Sequence, residues 1–329
     1  MATMRTPAVL IHRHGGPEVL EWTEIDVPEP AEGEVRIVQH AIGLNFADIY
    51  QRKGAHGPHG AAPFPIVLGS QGAGIVESVG PGVAGLAPGD AVAYLHPGAY
   101  ARIRLVPAAR VVPLPDGLTL ETAAGTLLRG MTAEYLLHRL YAVRPSQFVL
   151  VHAAAGGMGQ ILSAWARALG ACVIGTVGSE AKRETALEHG CHHVINYRGV
   201  DFVEHVARIT GNQGVAVVYD AVGRDVFMRS LDCLAVRGMA INYGTASGDV
   251  EAFDLQRLHA KSLTVCRPTL KNFVGTRPEL LDSARQYAQA VQAGQIRAAV
   301  ARRYALADAA QAHADLEARR TVGAAVLIP

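Results

Sequence analysis

The stretch Phe148–Gly170, FVLVHAAAGGMGQILSAWARALG, decides the fold. An apolar strand over 148–153 runs into the turn Ala154-Ala155-Gly156-Gly157-Met158-Gly159, and an amphipathic helix follows from Gln160. Ala154, Gly156 and Gly159 keep the G-x-G-x-x-G spacing, with alanine in the first place. Gly156 allows the backbone to approach a pyrophosphate, and Gly159 allows the helix to close on the strand. The helix N-terminus offers free N–H groups and the positive end of its dipole to the phosphates. Set between a strand and a helix, the motif points to a dinucleotide site.

The chain around this stretch fits that reading. Apolar strands are expected at 148–153, 172–177, 193–197, 215–222, 239–243 and 262–267, and helices at 160–169, 180–189, 201–210, 225–235 and 254–260. Near-continuous apolar strands separated by helices imply a parallel sheet covered on both faces. Six such strands make a doubly wound fold of expected order 3-2-1-4-5-6. Thr119–Ala142 reads as helical. The first part of the chain reads instead as short strands and turns. A hairpin is expected around His14-Gly15-Gly16-Pro17, from Ala8–Ile11 and Val19–Trp22, with further strands at Glu34–Leu44, Gly72–Val79 and Ala91–Ala93. That spacing suggests a barrel-like β domain. Beyond Pro268 a helix (278–293), a strand (300–304), a helix (307–318) and a strand (324–328) are expected to return to the first domain. The fold class is thus α/β. The domains are expected at 1–124 with 268–329, and at 125–267, the second inserted into the first.

With 329 residues, half of them hydrophobic, and a net charge of +1, the chain has the composition of a soluble α/β protein. The charge gives no reason to expect nucleic acid or an anionic membrane as partner. No window of about 18 uninterrupted apolar residues occurs, and the amino terminus lacks a signal-peptide core. The four cysteines, Cys172, Cys191, Cys233 and Cys266, are scattered with no C-x-x-C spacing, so neither a zinc cluster nor a disulfide frame is indicated. A reducing cytoplasm fits. His56-x-x-His59 lies in the Gly/Pro-rich loop GAHGPHGAAP, which reads as a border of the substrate entrance rather than a metal site. His152, inside a strand, reads as a packed core residue.

The end of the second strand of the parallel sheet distinguishes the two nicotinamide cofactors. A site for NAD usually carries an acid there to hold the ribose 2′-hydroxyl. Here Gly178-Ser179 stand at the strand end and Lys182 follows one turn on. A small residue, a hydroxyl and an ammonium suit a 2′-phosphate. Glu180 reads as a helix-start acid that complements the dipole. NADPH is therefore the expected cofactor, with Ala155, Gly156, Gly157, Met158 and Gly159 at its pyrophosphate. Tyr197, at the end of the third strand, could cover the adenine or bond a phosphate.

The turn AAAGGMG, the segment Asn45-Phe46-Ala47-Asp48-Ile49-Tyr50, the runs VINYR, VVYDAVGRD, SLDCLAVRG and RPTL, and the ending VGAAVLIP resemble the NADPH:quinone oxidoreductases. These are the zinc-free, zeta-crystallin-like branch of the medium-chain dehydrogenases/reductases, and the resemblance runs along essentially the whole chain. It implies a GroES-like catalytic domain, an inserted Rossmann domain, NADPH in the cleft between them, and homodimers joined through the last Rossmann strand, 262–267. It also implies roles for residues. Asn45 and Tyr50 would lie at the nicotinamide end, with Asp48 supporting their loop and Thr132 beneath the nicotinamide. Gly178, Lys182 and Tyr197 match the family's 2′-phosphate site, Tyr243 and Gly244 would pass the nicotinamide ribose, and Arg267 and Arg319 would line the cofactor cleft.

Zinc alcohol dehydrogenases of the same superfamily carry a Cys in the first catalytic loop and a His-Glu pair after a Gly. This chain has Ile42-Gly43-Leu44-Asn45 and Gly69-Ser70-Gln71, neither of which supplies a good zinc ligand. Without a metal or an obvious base to lower an alcohol's pKa, alcohol oxidation is disfavoured. Gln71 also departs from the Glu common in the quinone reductase branch. The expected reaction is reduction of a quinone by NADPH, with Tyr50 as hydrogen-bond donor to the product oxyanion and Asn45 orienting the carboxamide or the acceptor. An alkenal or enone reductase shares fold and cofactor and would differ only in acceptor loops, expected around 56–65, 94–98 and 272–277. A crystallin-like NADPH-binding protein without turnover is the non-enzymatic alternative.

Overall fold

The structure, a computed structural model, describes residues 3–54 and 63–329. The chain divides into two compact units. One holds Met1–Leu128, Thr276–Ala288 and Ala298–Pro329, and the other holds Arg129–Gly275 and Gln289–Arg297.

The first unit opens with β1 (Met4–Ile11) paired antiparallel to β2 (Glu21–Val27). The expected hairpin forms, but its second strand starts later than the reading Val19–Trp22. Pro17 begins a 3-10 turn over Pro17–Val19, closed by the Leu20 amide on the Pro17 carbonyl at 3.2 Å. There follow β3 (Glu34–Leu44), α1 (Phe46–Lys53), β4 (Ile66–Val67), β5 (Gln71–Val79), β6 (Ala91–Leu95), β7 (Ile103–Pro107) and β8 (Val111–Pro113). Helix α2 (Leu120–Glu134) runs on into a π-helical turn, Tyr135–Leu140, where the Tyr141 amide reaches back to the Leu136 carbonyl at 3.3 Å.

In the second unit β9 (Phe148–Val151), α3 (Gly157–Ala168), β10 (Cys172–Val177), α4 (Arg183–Glu188), β11 (His193–Asn196), α5 (Phe202–Ile209), β12 (Val215–Asp220), α6 (Phe227–Ser230), β13 (Leu234–Asn242) and β14 (Thr264–Cys266) follow in turn. The sheet order is β11-β10-β9-β12-β13-β14, parallel throughout, which is the 3-2-1-4-5-6 order expected. Val149, Leu150, Val151, Val173, Ile174, Val217 and Val218 are all fully buried, because helices cover both faces of these strands. Two expected helices change. The segment 225–235 forms only α6: Cys233 and Leu234 turn back onto Ser230 and Leu231, and Leu234 already pairs with Val215. The segment 254–260 is a 3-10 run, Leu255–Lys261.

The chain returns through α7 (Arg277–Gln292), β15 (Val300–Ala305), α8 (Ala309–Glu317) and β16 (Ala324–Ile328). The larger sheet of the first unit has the order β15-β16-β3-β5-β6-β8, with β7 also on β3. Its core gathers Val35, Ile37, Ile42, Leu44, Val92 and Leu327, none of them exposed. Strand β16 pairs with the last residues of β3, Leu327 opposite Ile42 and Ala325 opposite Leu44, so the chain's final strand fixes the point from which Asn45 departs. Among the described residues, no helix is long and apolar enough to cross a membrane.

Candidate functional site

In the second unit the carboxyl ends of β9, β10 and β11 stand side by side. Ala153, with φ of 53°, turns the chain out of β9 into the glycine loop. The N-cap of α3 is Gly156 and no side chain caps the helix, so its first-turn amides are left for a ligand. A Cβ on Gly159 would come within 2.4 Å of the Ala153 carbonyl oxygen and 2.7 Å of the Ala154 Cα. Gly159 is therefore glycine because strand and helix meet there, as its spacing suggested. Ala155 is buried, whereas Gly156, Gly157 and Met158 remain half-buried. The residues present fit a dinucleotide pyrophosphate.

At the next strand end, Val177 lies beside Asn196, and the Tyr197 amide donates to the Val177 carbonyl at 3.2 Å. A Cβ on Gly178 would sit 3.4 Å from the Tyr197 hydroxyl, so the two residues are brought together. Ser179 is the N-cap of the short turn Glu180–Lys182. The Glu180 carboxylate faces Arg183 at 3.7 Å on the exposed side of that turn. Lys182 is half-buried.

Beyond the switch in strand order, Asp220 at the end of β12 organises two turns. Its carboxylate accepts from the Val222 amide at 2.7 Å, the Gly223 amide at 3.1 Å and Asn242 Nδ2 at 2.8 Å. Its carbonyl accepts from the Tyr243 amide at 2.9 Å and the Gly244 amide at 3.3 Å. Burial pushes the Asp220 carboxyl up to about 6, against the pull of those donors. Arg267 follows β14 and donates to Asn242 Oδ1, with Asp249 at 3.9 Å. Asp220, Asn242 and Arg267 thus form one string that ends beside Tyr243 and Gly244. Asp220 and Asn242 were not singled out in the sequence, although Asp220 stands in the quoted run VVYDAVGRD. Thr132 lies buried in α2. His152 is fully buried between Thr176 Oγ1 and Ser230 Oγ, each at 2.8 Å, and burial lowers it to about 3, as a packed core residue requires.

In the first unit Asn45 is the N-cap of α1, and its amide donates to Asp48 Oδ2 at 2.9 Å in a capping box. Asn45 is 5% exposed, and its Nδ2 has no hydrogen-bond partner among the described residues. A buried amide donor of this kind suits a polar group brought by a ligand. Ser70 Oγ donates to Asp48 Oδ1 at 2.6 Å. Gln71 Oε1 accepts the Leu128 amide at 2.9 Å, which gives this residue a neutral task in joining β5 to α2. Tyr50 is half-buried on α1, 6.2 Å from the Phe46 ring between centroids. Arg319 follows the C-cap of α8 with φ of 59°, its amide on the Leu316 carbonyl at 3.1 Å. The loop that holds His56 and His59 lies outside the described residues, as does most of the expected acceptor segment 56–65. Among the described residues no cluster of His, Cys, Asp or Glu is arranged to hold a metal.

Known proteins share this fold. The alcohol dehydrogenase GroES-like domain family matches residues 31–116, and the zinc-binding dehydrogenase family matches residues 157–285. A 2-haloacrylate reductase from a Burkholderia species is 45% identical over 328 residues, covering 98% of each chain. Quinone oxidoreductase 1 of Escherichia coli is 44% identical over 323 residues, 97% of this chain and 98% of the relative. The crystal structure of Escherichia coli quinone oxidoreductase complexed with NADPH superposes with a TM-score of 0.94 at 43% identity, over the full length of both chains. With that identity along its length, and with both of the superfamily's domains present, the chain belongs to the quinone oxidoreductase family of the medium-chain dehydrogenases/reductases.

Proposed function

We propose that the protein is an NADPH-dependent quinone oxidoreductase that needs no metal. NADPH, when bound, supplies a hydride. A quinone takes up that hydride and one proton to become the hydroquinone. The chain's own residues bind, orient and stabilise. The loop Ala155-Gly156-Gly157-Met158-Gly159 receives the pyrophosphate at the start of α3, with the amides of Ala155, Gly157, Met158 and Gly159 turned to it while the Gly156 amide stays on the Ala153 carbonyl at 2.9 Å. Gly178 leaves room for a 2′-phosphate, which Ser179, Lys182 and Tyr197 hold. Tyr243 and Gly244 pass the nicotinamide ribose, Thr132 lies under the ring, and Arg267 and Arg319 add positive charge. Asn45 offers its Nδ2 to the carboxamide or the acceptor, with Asp48 bracing it. Tyr50 donates a hydrogen bond to the oxyanion that develops on the acceptor, and catalysis is mainly positioning and exclusion of water.

The observation that carries this reading is the end of β10, where Tyr197 stands over Gly178 and no acid occupies the ribose position. Loss of reduced-nicotinamide absorbance with para-benzoquinone, in metal-stripped protein, tests it. Turnover with NADPH well above that with NADH is expected, and Lys182→Ala should lower the preference about tenfold or more, the scale of one charge-assisted contact. Preference for NADH would overturn the 2′-phosphate site, and NADPH binding without turnover on any acceptor would favour a crystallin-like binding role.

The similarity to a 2-haloacrylate reductase supports a second reading, reduction of a conjugated carbon–carbon double bond. In that case the hydride goes to the β carbon and the proton to the α carbon. The ratio of kcat/KM for para-benzoquinone to that for a simple enone separates the two. A homodimer along β14 belongs to the same proposal: this strand is the outer edge of its sheet, and Thr264 is exposed on it. Sedimentation at micromolar concentration that finds only monomer would remove the dimer. A cytoplasmic location accompanies the reading and rests on cysteine usage alone.

A further inference from the structure

We propose that His313 and Tyr100 are positioning residues that strap the buried face of α1 and so set Asn45 and Tyr50 together. The inference rests on the reading of those two residues as cofactor- and acceptor-facing. Asp48 and Arg52 lie four residues apart on one face of α1, and both are fully buried. Tyr50, two residues from each, is half-buried. Between Asp48 and Arg52 runs a string of side chains from distant parts of the sequence. Arg52 Nη1 is 3.1 Å from His313 Nδ1, His313 Nε2 is 2.8 Å from the Tyr100 hydroxyl, and that hydroxyl is 3.2 Å from Asp48 Oδ2.

Donor chemistry gives the string one direction. A guanidinium only donates, so His313 Nδ1 accepts and the ring carries its hydrogen on Nε2. That N–H donates to the Tyr100 oxygen, and the Tyr100 hydrogen is then directed at Asp48. The carboxylate receives the Asn45 amide at the head of its own helix and two donors from elsewhere in the fold, Ser70 Oγ and the Tyr100 hydroxyl. A fully buried carboxylate needs such donors to stay ionised. At the other end Arg52 is held by Glu317 at 2.7 Å, and Lys53 reaches the same carboxylate. Burial, with the charge of Arg52 beside it, lowers His313 to about 3, which keeps the ring neutral. The string is not a proton relay, because it ends on a guanidinium, which only donates. What it transmits is orientation: α8 fixes the rotation of α1 about its axis.

Three variants test the strap: His313→Leu, which removes both bonds; His313→Gln, whose amide can accept from Arg52 and donate to Tyr100; and Tyr100→Phe, which deletes one hydroxyl and keeps the ring. Each is assayed below its unfolding temperature. For His313→Leu and Tyr100→Phe the expected result is NADPH affinity, read by cofactor fluorescence, and kcat/KM for para-benzoquinone reduced about tenfold, the scale of a lost hydrogen bond in a charged network. His313→Gln is expected to recover most of both. Amide exchange across residues 45–49 should quicken in Tyr100→Phe. Wild-type affinity and turnover in Tyr100→Phe would overturn the strap, as would a His313→Gln as defective as His313→Leu. If quickened exchange in Tyr100→Phe accompanies a wild-type protein that turns over no quinone, the strap stands and the functional reading fails.

Discussion

Replacing His152 with Gln removes a titrating group from the centre of the second unit, and the effect on stability can be worked out with its sign. Ser230 Oγ spends its hydrogen on the Val226 carbonyl at 2.8 Å, so it accepts from His152 Nε2–H, and Thr176 serves Nδ1. The ring is therefore folded neutral, with burial lowering it from 6.5 to about 3. A lowered folded value means that stability is whole above the unfolded value and is lost as pH falls toward the folded one. In that window the unfolded chain binds one more proton, which costs about 1.4 kcal/mol per pH unit. Asp220 in the same unit works the other way. Its folded value is raised from 3.8 to about 6, so its contribution is complete below the unfolded value and fades as pH rises through the folded one. Between about pH 4 and 6 these two contributions oppose each other and nearly cancel.

His152→Gln should uncover the Asp220 slope. Over two pH units the gap between variant and wild type should close by about 3 kcal/mol as the solution is acidified. Trp165, 3% exposed in α3, reports the second unit, and Trp22→Phe silences the chain's other tryptophan. Urea unfolding followed by Trp165 fluorescence at several pH values gives both lines. Parallel lines for His152→Gln and its parent would refute a neutral buried ring.

Gly159→Ala should destabilise the second unit by about 1–3 kcal/mol through the clash with the Ala153 carbonyl, and should weaken NADPH binding as α3 is pushed outward; thermal unfolding and fluorescence titration check both. Tyr50→Phe should lower quinone turnover at saturating NADPH with little change in cofactor affinity, and unchanged turnover at saturating quinone would remove its role as donor. Asn242→Leu cuts the link from Asp220 to Arg267, and should raise the KM for NADPH more than it lowers the melting temperature, measured side by side.

The parallel sheet was legible because strands such as β9 and β10 are unbroken apolar runs ending at a turn, and β10 begins and ends where Cys172–Val177 suggested, whereas Arg237 and Gly238 interrupt β13 and hid its start at Leu234 from a reading of 239–243. The small strands β4, β7 and β8 were not, since two to five residues with mixed burial carry no period to read. The segment 225–235 has helix-forming residues, yet pairing of Leu234 with Val215 overrides that tendency. The π-helical turn after α2 is held by distant partners: Tyr135 stacks on Phe273 at 4.1 Å, and Arg139 donates to the Phe273 carbonyl at 2.9 Å. Site residues followed the same rule. Gly178 and Tyr197 stand at strand ends and Gly159 in the first turn of α3, all in patterns whose spacing is local. The link from Tyr100 to His313 spans 213 positions, and no pattern within either segment announces it.

The antiparallel pairing of β16 with the end of β3 has a consequence for how the molecule is made. Residues 42–44 leave the ribosome early, whereas their partners 325–327 follow only after the whole second unit has been made. The second unit, almost entirely drawn from one unbroken segment, can assemble while synthesis continues, but the edge of β3 beside Asn45 must wait. A chain made only as far as Arg297 therefore holds a complete second unit and a first unit that still lacks β15 and β16. Chains that stop before β16 should fold the second unit and lack turnover.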